Sequence, residues 1–275
     1  MTRNECAAWL QSHDNFCILT HARPDGDTIG SATALCVGLR QLGKTAHVLN
    51  NTEASPFLRR CMLGLTVDEP ESTDTLISVD VASPHLLPPV YQQYLGRIAM
   101  RIDHHATATS FTTEEYVDAS YAACGEIIYE IVRELGPVTS DIATALYVAV
   151  STDCGCFAYG NTSANTHRVA AALIDCGIDL AALNKRHFRT KSWKRMQLEA
   201  AIPEGSISGF TWSSSNKKIA TVDETGLVIP TGAGTATITV KTTSSTSAPS
   251  KASWSKFGSE MKMGNVYSAQ NKSGA

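Results

Sequence analysis

No stretch of the 275-residue chain approaches the ~20 consecutive apolar residues that a membrane-spanning helix needs. The opening Met1-Thr-Arg-Asn-Glu5 leads into no apolar run of secretory length before Asp14, so the expected compartment is the cytoplasm, with no membrane partner. Charge of neither sign is in large excess. The 23 Lys and Arg stand against 26 Asp and Glu, which speaks against a basic nucleic-acid coat. Disorder throughout is excluded too, because 43% of the residues are hydrophobic. The length suits one large or two modest domains.

The scarcities are unevenly placed. All eight histidines and all eight cysteines lie before position 190, and no arginine follows Arg195. Residues 1–200 hold 16 basic and 22 acidic residues, a net of −6; residues 201–275 hold 7 lysines and 4 acids, a net of +3. Two polypeptide styles are joined near residue 200. The cysteine spacing is not that of a small stapled scaffold, and Cys17 and Cys36 sit inside apolar segments. Reduced, mostly buried thiols are therefore expected. Cys154-Gly-Cys156 is too short a spacing for the familiar zinc and redox pairs.

Before residue 200 the pattern alternates strand and helix. Helices are predicted over 2–12, 29–42, 121–135, 140–150, 163–176 and 180–189, with Gly43 as a C-cap and Ser140 as an N-cap. Apolar runs at 16–20, 45–49, 75–80 and 98–102 read as buried strands. The fold class is α/β, a largely parallel sheet with flanking helices. After residue 200 the segments 210–216, 219–222 and 235–240 are of β type. In the last, Ala236, Ile238 and Val240 alternate with three threonines, a period of two that fits a half-buried strand. From Thr242 the Ser-, Thr- and Lys-rich chain shows no sustained pattern and reads as a flexible tail. The expected organisation is thus 1–200, a short incomplete β segment at 201–241, and a tail at 242–275.

Acids and histidines gather where the predicted strands end. His21, Asp25 and Asp27 follow the first, Asp80 closes the third, Asp103, His104 and His105 close the fourth, and Asp153 ends the segment 143–152. Ligand sites of open α/β sheets form outside the carboxyl ends of the strands. A single His or Asp at a strand end is ordinarily solvated or a cap, and His13, His47, His85, His167 and His187 are read so. Four distant segments bringing acids to one crevice are different, because carboxylates crowded together repel one another unless cations bind. Mixed Asp and His donors suit Mn²⁺, and Mg²⁺ less well. Asp25 and Asp27 can face different ions, and Gly26 between them permits an unusual backbone angle. Two ions about 3.5–4 Å apart can activate a bridging water and hold phosphoryl oxygens.

The segments His21-Ala-Arg-Pro-Asp-Gly-Asp-Thr-Ile-Gly-Ser31, Val79-Asp80, Ile102-Asp-His-His105 and Ser151-Thr-Asp-Cys-Gly-Cys-Phe-Ala-Tyr159 resemble the four motifs of the DHH phosphoesterase superfamily. Asn161-Thr-Ser163, Thr166-His-Arg168 and Lys191-Ser-Trp193 resemble its branch of oligoribonucleases and 3′-phosphoadenosine 5′-phosphate phosphatases. The resemblance covers about residues 1–200. It implies that His21, Asp25 and Asp80 hold one metal ion and that Asp27, Asp80, His104 and Asp153 hold a second, with Asp80 bridging. It implies that Asp103 orients a histidine, that His105 faces the scissile phosphate, and that a metal-bound hydroxide attacks. Cys154 and Cys156 would line the site wall. The implied substrates are short RNA oligonucleotides or a nucleoside bisphosphate, and the resemblance leaves room for a homodimer. Asp-Gly-Asp in the first motif leans away from family II pyrophosphatases, which usually carry Asp-Thr-Asp.

Relatives of this branch carry a second domain whose glycine-rich, histidine-containing loop grips the nucleotide. Residues 201–275 hold no His and no Arg, so that clamp is not expected and activity would be impaired. Instead, Thr211-Trp-Ser-Ser-Ser-Asn216, Ile219-Ala-Thr-Val-Asp223, Gly226-Leu-Val228 and Gly232-Ala-Gly-Thr-Ala-Thr-Ile-Thr239 resemble the bacterial Ig-like group 2 module over about 207–241. A fusion, a truncation and an assembly artefact would each produce such a junction. The alternatives to an active phosphoesterase are a surface or binding protein with an Ig-like module, pyrophosphatase-like activity, and a metal-binding protein of poor turnover.

Overall fold

The apolar runs of the N-terminal half become the strands of one parallel sheet. In the computed structural model the described residues are 1–190, 210–223, 228–231, 234–242, 250–257 and 260–264. They divide into two units, residues 1–190 and 191–275, each described by itself. The first unit runs α1 (Arg3–Ser12), β1 (Phe16–Leu19), α2 (Gly26–Gln41), β2 (Ala46–Leu49), α3 (Pro56–Arg59), β3 (Thr66–Val67), β4 (Thr75–Val79), β5 (Ile98–Asp103), β6 (Glu114–Val117), α4 (Cys124–Leu135), α5 (Ser140–Asp153), α6 (Ala164–Asp175) and α7 (Leu180–Asn184). The sheet order is β3-β2-β1-β4-β5-β6, and every pairing is parallel.

Strands covered on both faces should be apolar throughout, and β1 shows why. Phe16 and Ile18 face a core shared with Leu35, Ile127 and Leu146 of α2, α4 and α5. Cys17 and Leu19 face a second core with Leu76, Leu87 and Tyr91. That second face is covered by short 3₁₀ turns over residues 84–97 rather than by a long helix. The eight cysteines are all free, as expected of reduced thiols. Cys154 is fully buried within the larger core, and Cys156 is half-buried.

Several boundaries differ from expectation for physical reasons. Helix α2 begins at Gly26 rather than near residue 29, because the Asp25 carboxylate accepts from the backbone N–H groups of Asp27 and Thr28 and caps it. Ser140 is the first residue of α5 rather than its cap; Thr139 holds the cap position without a side-chain bond. The helix expected from residue 180 is α only over Leu180–Asn184 and widens into a π turn at Lys185–Arg189. Strands β3 and β6 add the two edges; β3 has only two residues, and β6 (Glu-Glu-Tyr-Val) lacks an apolar run. Gly43 does end α2, with a φ of +77°.

In the second unit β7 (Phe210–Ser214), β10 (Gly234–Thr242), β11 (Ser250–Phe257) and β12 (Glu260–Gly264) form an antiparallel sheet in the order β12-β11-β10-β7, while β8 (Ala220–Val222) pairs with β9 (Val228–Pro230). Its small core joins Ala220, Ala236 and Ile238 with Trp212, Ile219 and Val222. Strands β11 and β12 lie where the sequence reads as tail. Ser and Lys in β11 hide its alternation, and the ladders of β11 with β10 and of β12 with β11 supply the order. Lys191-Ser-Trp193, Gly226-Leu227, Gly232-Ala233 and the rest of the expected tail lie outside the described residues.

Candidate metal centre

The strand order reverses between β1 and β4, and the crevice at such a switch point is where open α/β sheets place ligands. His21 follows β1, Asp80 follows β4, and Asp103-His104-His105 end β5. Asp25 and Asp27 open α2, and Asp153 closes α5. The structure brings all eight of these side chains together.

Close helix packing makes this possible. A Cβ at Gly26 would fall 2.3 Å from Thr152 Oγ1, and one at Gly30 would fall 2.4 Å from the Ala145 carbonyl oxygen. Helices α2 and α5 therefore touch backbone to backbone, which sets Asp27 beside Asp153. Gly26 does not adopt a positive φ. The sequence-based reason for this glycine, an unusual backbone angle, is replaced by the need for no side chain. The unusual angle belongs to Asp80, whose φ is +57°. An L-residue held there stores strain of about 1–3 kcal/mol, and such strain concentrates at functional sites.

Three groups of donors lie close enough to share an ion: His21 with Asp25 and Asp80, Asp27 with His104 and Asp153, and Asp80 with His104 and His105. His21 Nε2 is 3.6 Å from Asp25 Oδ1 and 3.5 Å from Asp80 Oδ2. His104 Nε2 is 3.7 Å from Asp27 Oδ2, 3.5 Å from Asp80 Oδ1 and 3.7 Å from Asp153 Oδ2. The two oxygens of Asp80 thus face two different histidines. Each histidine is held from behind through Nδ1, His21 against the Ala22 carbonyl at 2.8 Å and His104 against the Tyr121 carbonyl at 3.3 Å. Such bonds leave the Nε2 lone pair for a metal. His105 Nδ1 meets Asp103 Oδ1 at 2.8 Å and lies 3.6 Å from Asp80 Oδ1.

The electrostatics are those of charge crowded out of water. Burial, then the neighbouring Asp80 and Asp153, push the Asp27 carboxyl well above its ordinary range. Burial also opposes ionisation of Asp80, yet its contacts with His104 and His21 hold it well below that range. Burial likewise disfavours the charged imidazoles. The carboxylates outweigh it, raising His21, beside Asp25 and Asp80, and His104, beside Asp80, Asp27 and Asp153, each to about 10.

These residues fit divalent metal ions. Both carboxylate oxygens of Asp80 and Nε2 of His104 are buried without a hydrogen-bond partner. Buried polar atoms left so are costly, and their separations of 3.5–3.7 Å are too long for good hydrogen bonds but suit donors grouped around a cation. The all-Asp/His donor set holds no thiolate and suits a divalent ion that takes oxygen and imidazole ligands.

Other contributors gave no sequence signal. Asp27 is held by the backbone N–H groups of Cys124 and Gly125 at the start of α4, each at 2.8 Å, and by Ser31 Oγ at 3.1 Å. No local pattern announces a partner nearly a hundred residues away. Among the remaining histidines, His13 stacks on Trp9 and His187 packs edge-on against Phe57.

Residues 15–150 match the family described as DHH family, N-terminal domain. Residues 194–252 match the bacterial Ig-like domain (group 2), a wider span than the 207–241 read from the sequence. The Thermus thermophilus protein named bifunctional oligoribonuclease and PAP phosphatase NrnA is 34% identical over 190 residues, covering 65% of this chain and 56% of that protein. The Bacillus subtilis protein of the same name is 26% identical over 195 residues, covering 69% and 62%. The chain therefore spans little more than half the length of these relatives. A crystal structure of an exopolyphosphatase-related protein from Bacteroides fragilis shares the fold with a TM-score of 0.66 at 16% identity, covering 87% of this chain and 82% of that one.

Proposed function

Residues 15–150 of this chain belong to the DHH family, and on that premise we propose that the N-terminal unit is a phosphoesterase that uses two divalent metal ions to hydrolyse short oligoribonucleotides or 3′-phosphoadenosine 5′-phosphate. The observation that carries this reading is Asp80, whose two buried oxygens each face a different histidine, Oδ2 toward His21 and Oδ1 toward His104. A bridging carboxylate needs that arrangement. The substrate class follows from the names of the relatives.

His21, Asp25 and Asp80 would hold one ion, and Asp27, Asp80, His104 and Asp153 the other, with Mn²⁺ favoured over Mg²⁺ by the imidazoles. Bound there, the ions supply a strong water nucleophile at neutral pH and charge stabilisation for the phosphoryl group. The chain's own part is orientation. Ala22 and Tyr121 carbonyls fix the two ligand imidazoles, and the N-terminus of α4 fixes Asp27. The Asp103 carboxylate engages His105 Nδ1, which leaves Nε2 for the scissile phosphate.

The test is parallel Mn²⁺-dependent assay of a diribonucleotide, 3′-phosphoadenosine 5′-phosphate and pyrophosphate, with metal counting on Asp80→Ala. Turnover of either nucleotide supports the reading. Turnover of pyrophosphate alone favours pyrophosphatase activity, and turnover of none overturns the reading. Loss of both ions from Asp80→Ala is expected; full retention of two would exclude the bridge.

A further inference from the structure

We propose that Tyr159 is a base-stacking platform at the rim of the metal centre, so that this unit itself favours ligands carrying a nucleobase over inorganic phosphate and pyrophosphate. The proposal rests on the phosphoesterase reading of the centre and adds a binding residue to it.

The chain leaves α5 at Asp153 and enters an unusual turn. Gly155, Cys156 and Phe157 have φ values of +54°, +55° and +67°. Two of the three carry side chains, for which the left-handed region is unfavourable. The turn is held by several bonds. The Cys156 N–H donates to the Ser151 carbonyl at 2.7 Å, and the Tyr159 N–H donates to the Cys154 carbonyl at 3.1 Å. Asn161 Nδ2 donates to the carbonyls of Asp153 at 3.3 Å and Ala122 at 3.1 Å. The loop is thus tied back onto the residue that closes the metal cluster.

The result of this strained path is a sorting of two aromatic rings. Phe157 turns inward and stacks on His167, with centroids 5.3 Å apart and 27° between the planes. Tyr159 turns outward and is 61% exposed, and among the described residues it is the one aromatic among the exposed large hydrophobic side chains. Its ring is not loose. A Cβ at Gly155 would fall 2.4 Å from two of its ring carbons, so the ring rests against the bare glycine backbone. One side of the ring is backed by main chain, its hydroxyl has no partner among the described residues, and the rest meets solvent. A turn needed only to close a loop has no use for a braced, solvent-facing aromatic ring.

Position supplies the ligand class. Gly155 is two residues beyond Asp153, and two residues span at most about 7 Å. The backbone that braces the ring thus lies within about 7 Å of the Asp153 backbone, and in the proposed arrangement the base of a nucleotide whose phosphate is at the cluster rests against this ring. Every base has a π face, and aromatic platforms bind bases without sequence preference.

The experiment compares wild type with Tyr159→Ala and Tyr159→Phe in the full chain. Steady-state kinetics on diadenylate with Mn²⁺ are paired with calorimetric binding of adenosine 5′-monophosphate and of inorganic phosphate. In Tyr159→Ala, KM for diadenylate and Kd for the mononucleotide should each rise about 5- to 100-fold, the range that base–aromatic stacking spans. The kcat should stay within about twofold, phosphate affinity should not change, and Tyr159→Phe should behave as wild type. Unchanged KM and Kd in Tyr159→Ala overturn the proposal. So does an equal loss of phosphate binding, which would mean a structural role. A wild type that hydrolyses no phosphoester refutes the phosphoesterase reading instead, and mononucleotide binding then decides on Tyr159 alone. A wild type that binds phosphate but gains nothing from the base also refutes the platform.

Discussion

Replacing Gly30 by alanine tests the contact on which the candidate metal centre stands. The added Cβ would lie 2.4 Å from the Ala145 carbonyl oxygen and 2.9 Å from both the nitrogen and the Cβ of Ala149. Two of these three neighbours are backbone, so none can rotate aside. Relief to an ordinary contact of about 3.4 Å parts α2 from α5 by about 1 Å at that level. Gly30 is three residues from Asp27, and Ala149 is four from Asp153, so the parting is felt at both acids. Both now lie 3.7 Å from His104 Nε2. Metal sites tolerate about 0.2 Å in ligand distance, so a shift several times larger should cost more than tenfold in Mn²⁺ affinity. Overpacking adds a stability cost of about 1–3 kcal/mol. Alanine also gains about 1 kcal/mol of helix propensity over glycine, which would mask part of that cost. Gly38→Ala in the same helix removes the ambiguity. It gains the same propensity, but its Cβ meets only Val132 side-chain atoms, at 3.2 Å, which can yield. Urea unfolding should therefore place Gly30→Ala below Gly38→Ala by about 1–3 kcal/mol, and Mn²⁺ titration should show weakened binding in the first variant alone. Equal unfolding midpoints and equal metal affinities in the two variants would refute the close-packing argument.

Two further outcomes follow from other parts of the unit. His21 and His104 titrate near 10 without metal, so at pH 7 both carry a proton that an incoming ion must displace; Mn²⁺ affinity should rise with pH from 6 to 8, and calorimetry in buffers of different ionisation enthalpy should count about two or more protons released. In the metal-free protein the sign is opposite: imidazoles raised from 6.5 to about 10 stabilise the fold fully below pH 6.5, and that contribution fades as the pH climbs toward 10, which urea midpoints measured between pH 6 and 10 check directly. Arg101 is buried on β5, pairs with Glu115 at 2.9 Å and donates to the carbonyls of Thr109 at 2.8 Å and Ala82 at 3.3 Å. Arg101→Ala removes that tie near Asp80, while the part-exposed Glu115 carboxylate still accepts from the Phe111 and Thr112 N–H groups, so a loss of about 1–3 kcal/mol is expected in urea unfolding, and an unchanged midpoint would show the pair to be dispensable.

How much of this was legible beforehand varies with the range of the forces involved. The strand at 16–19 and its partners could be read directly, because a strand buried on both faces must be apolar at nearly every position. The acids and histidines at the strand ends could be read because such residues are out of place beside buried apolar runs, and their recurrence on four segments has a single electrostatic remedy. Strands β3 and β6 could not be read. Strand β3 has only two residues, and β6, Glu-Glu-Tyr-Val at the sheet edge, carries no apolar run; the neighbouring strand provides their order. Strands β11 and β12 escaped for a related reason, since a ladder organises Ser and Lys as readily as Val.

The amino-acid sequence by itself determined the α/β class and the change of style near residue 200, because these rest on composition and local periodicity, and it singled out the acids and histidines at the strand ends as candidates to hold cations. Only the tertiary structure decided how those residues meet. It showed that Gly26 and Gly30 serve helix contact rather than backbone freedom, and that Asp80 is held at a positive φ with its oxygens turned toward two histidines. It also showed that Asp27 is gripped by the start of a helix nearly a hundred residues away, and that Tyr159 faces outward while Phe157 faces in. These are matters of ångströms between segments remote in sequence, set by close packing, and no local pattern encodes a distance.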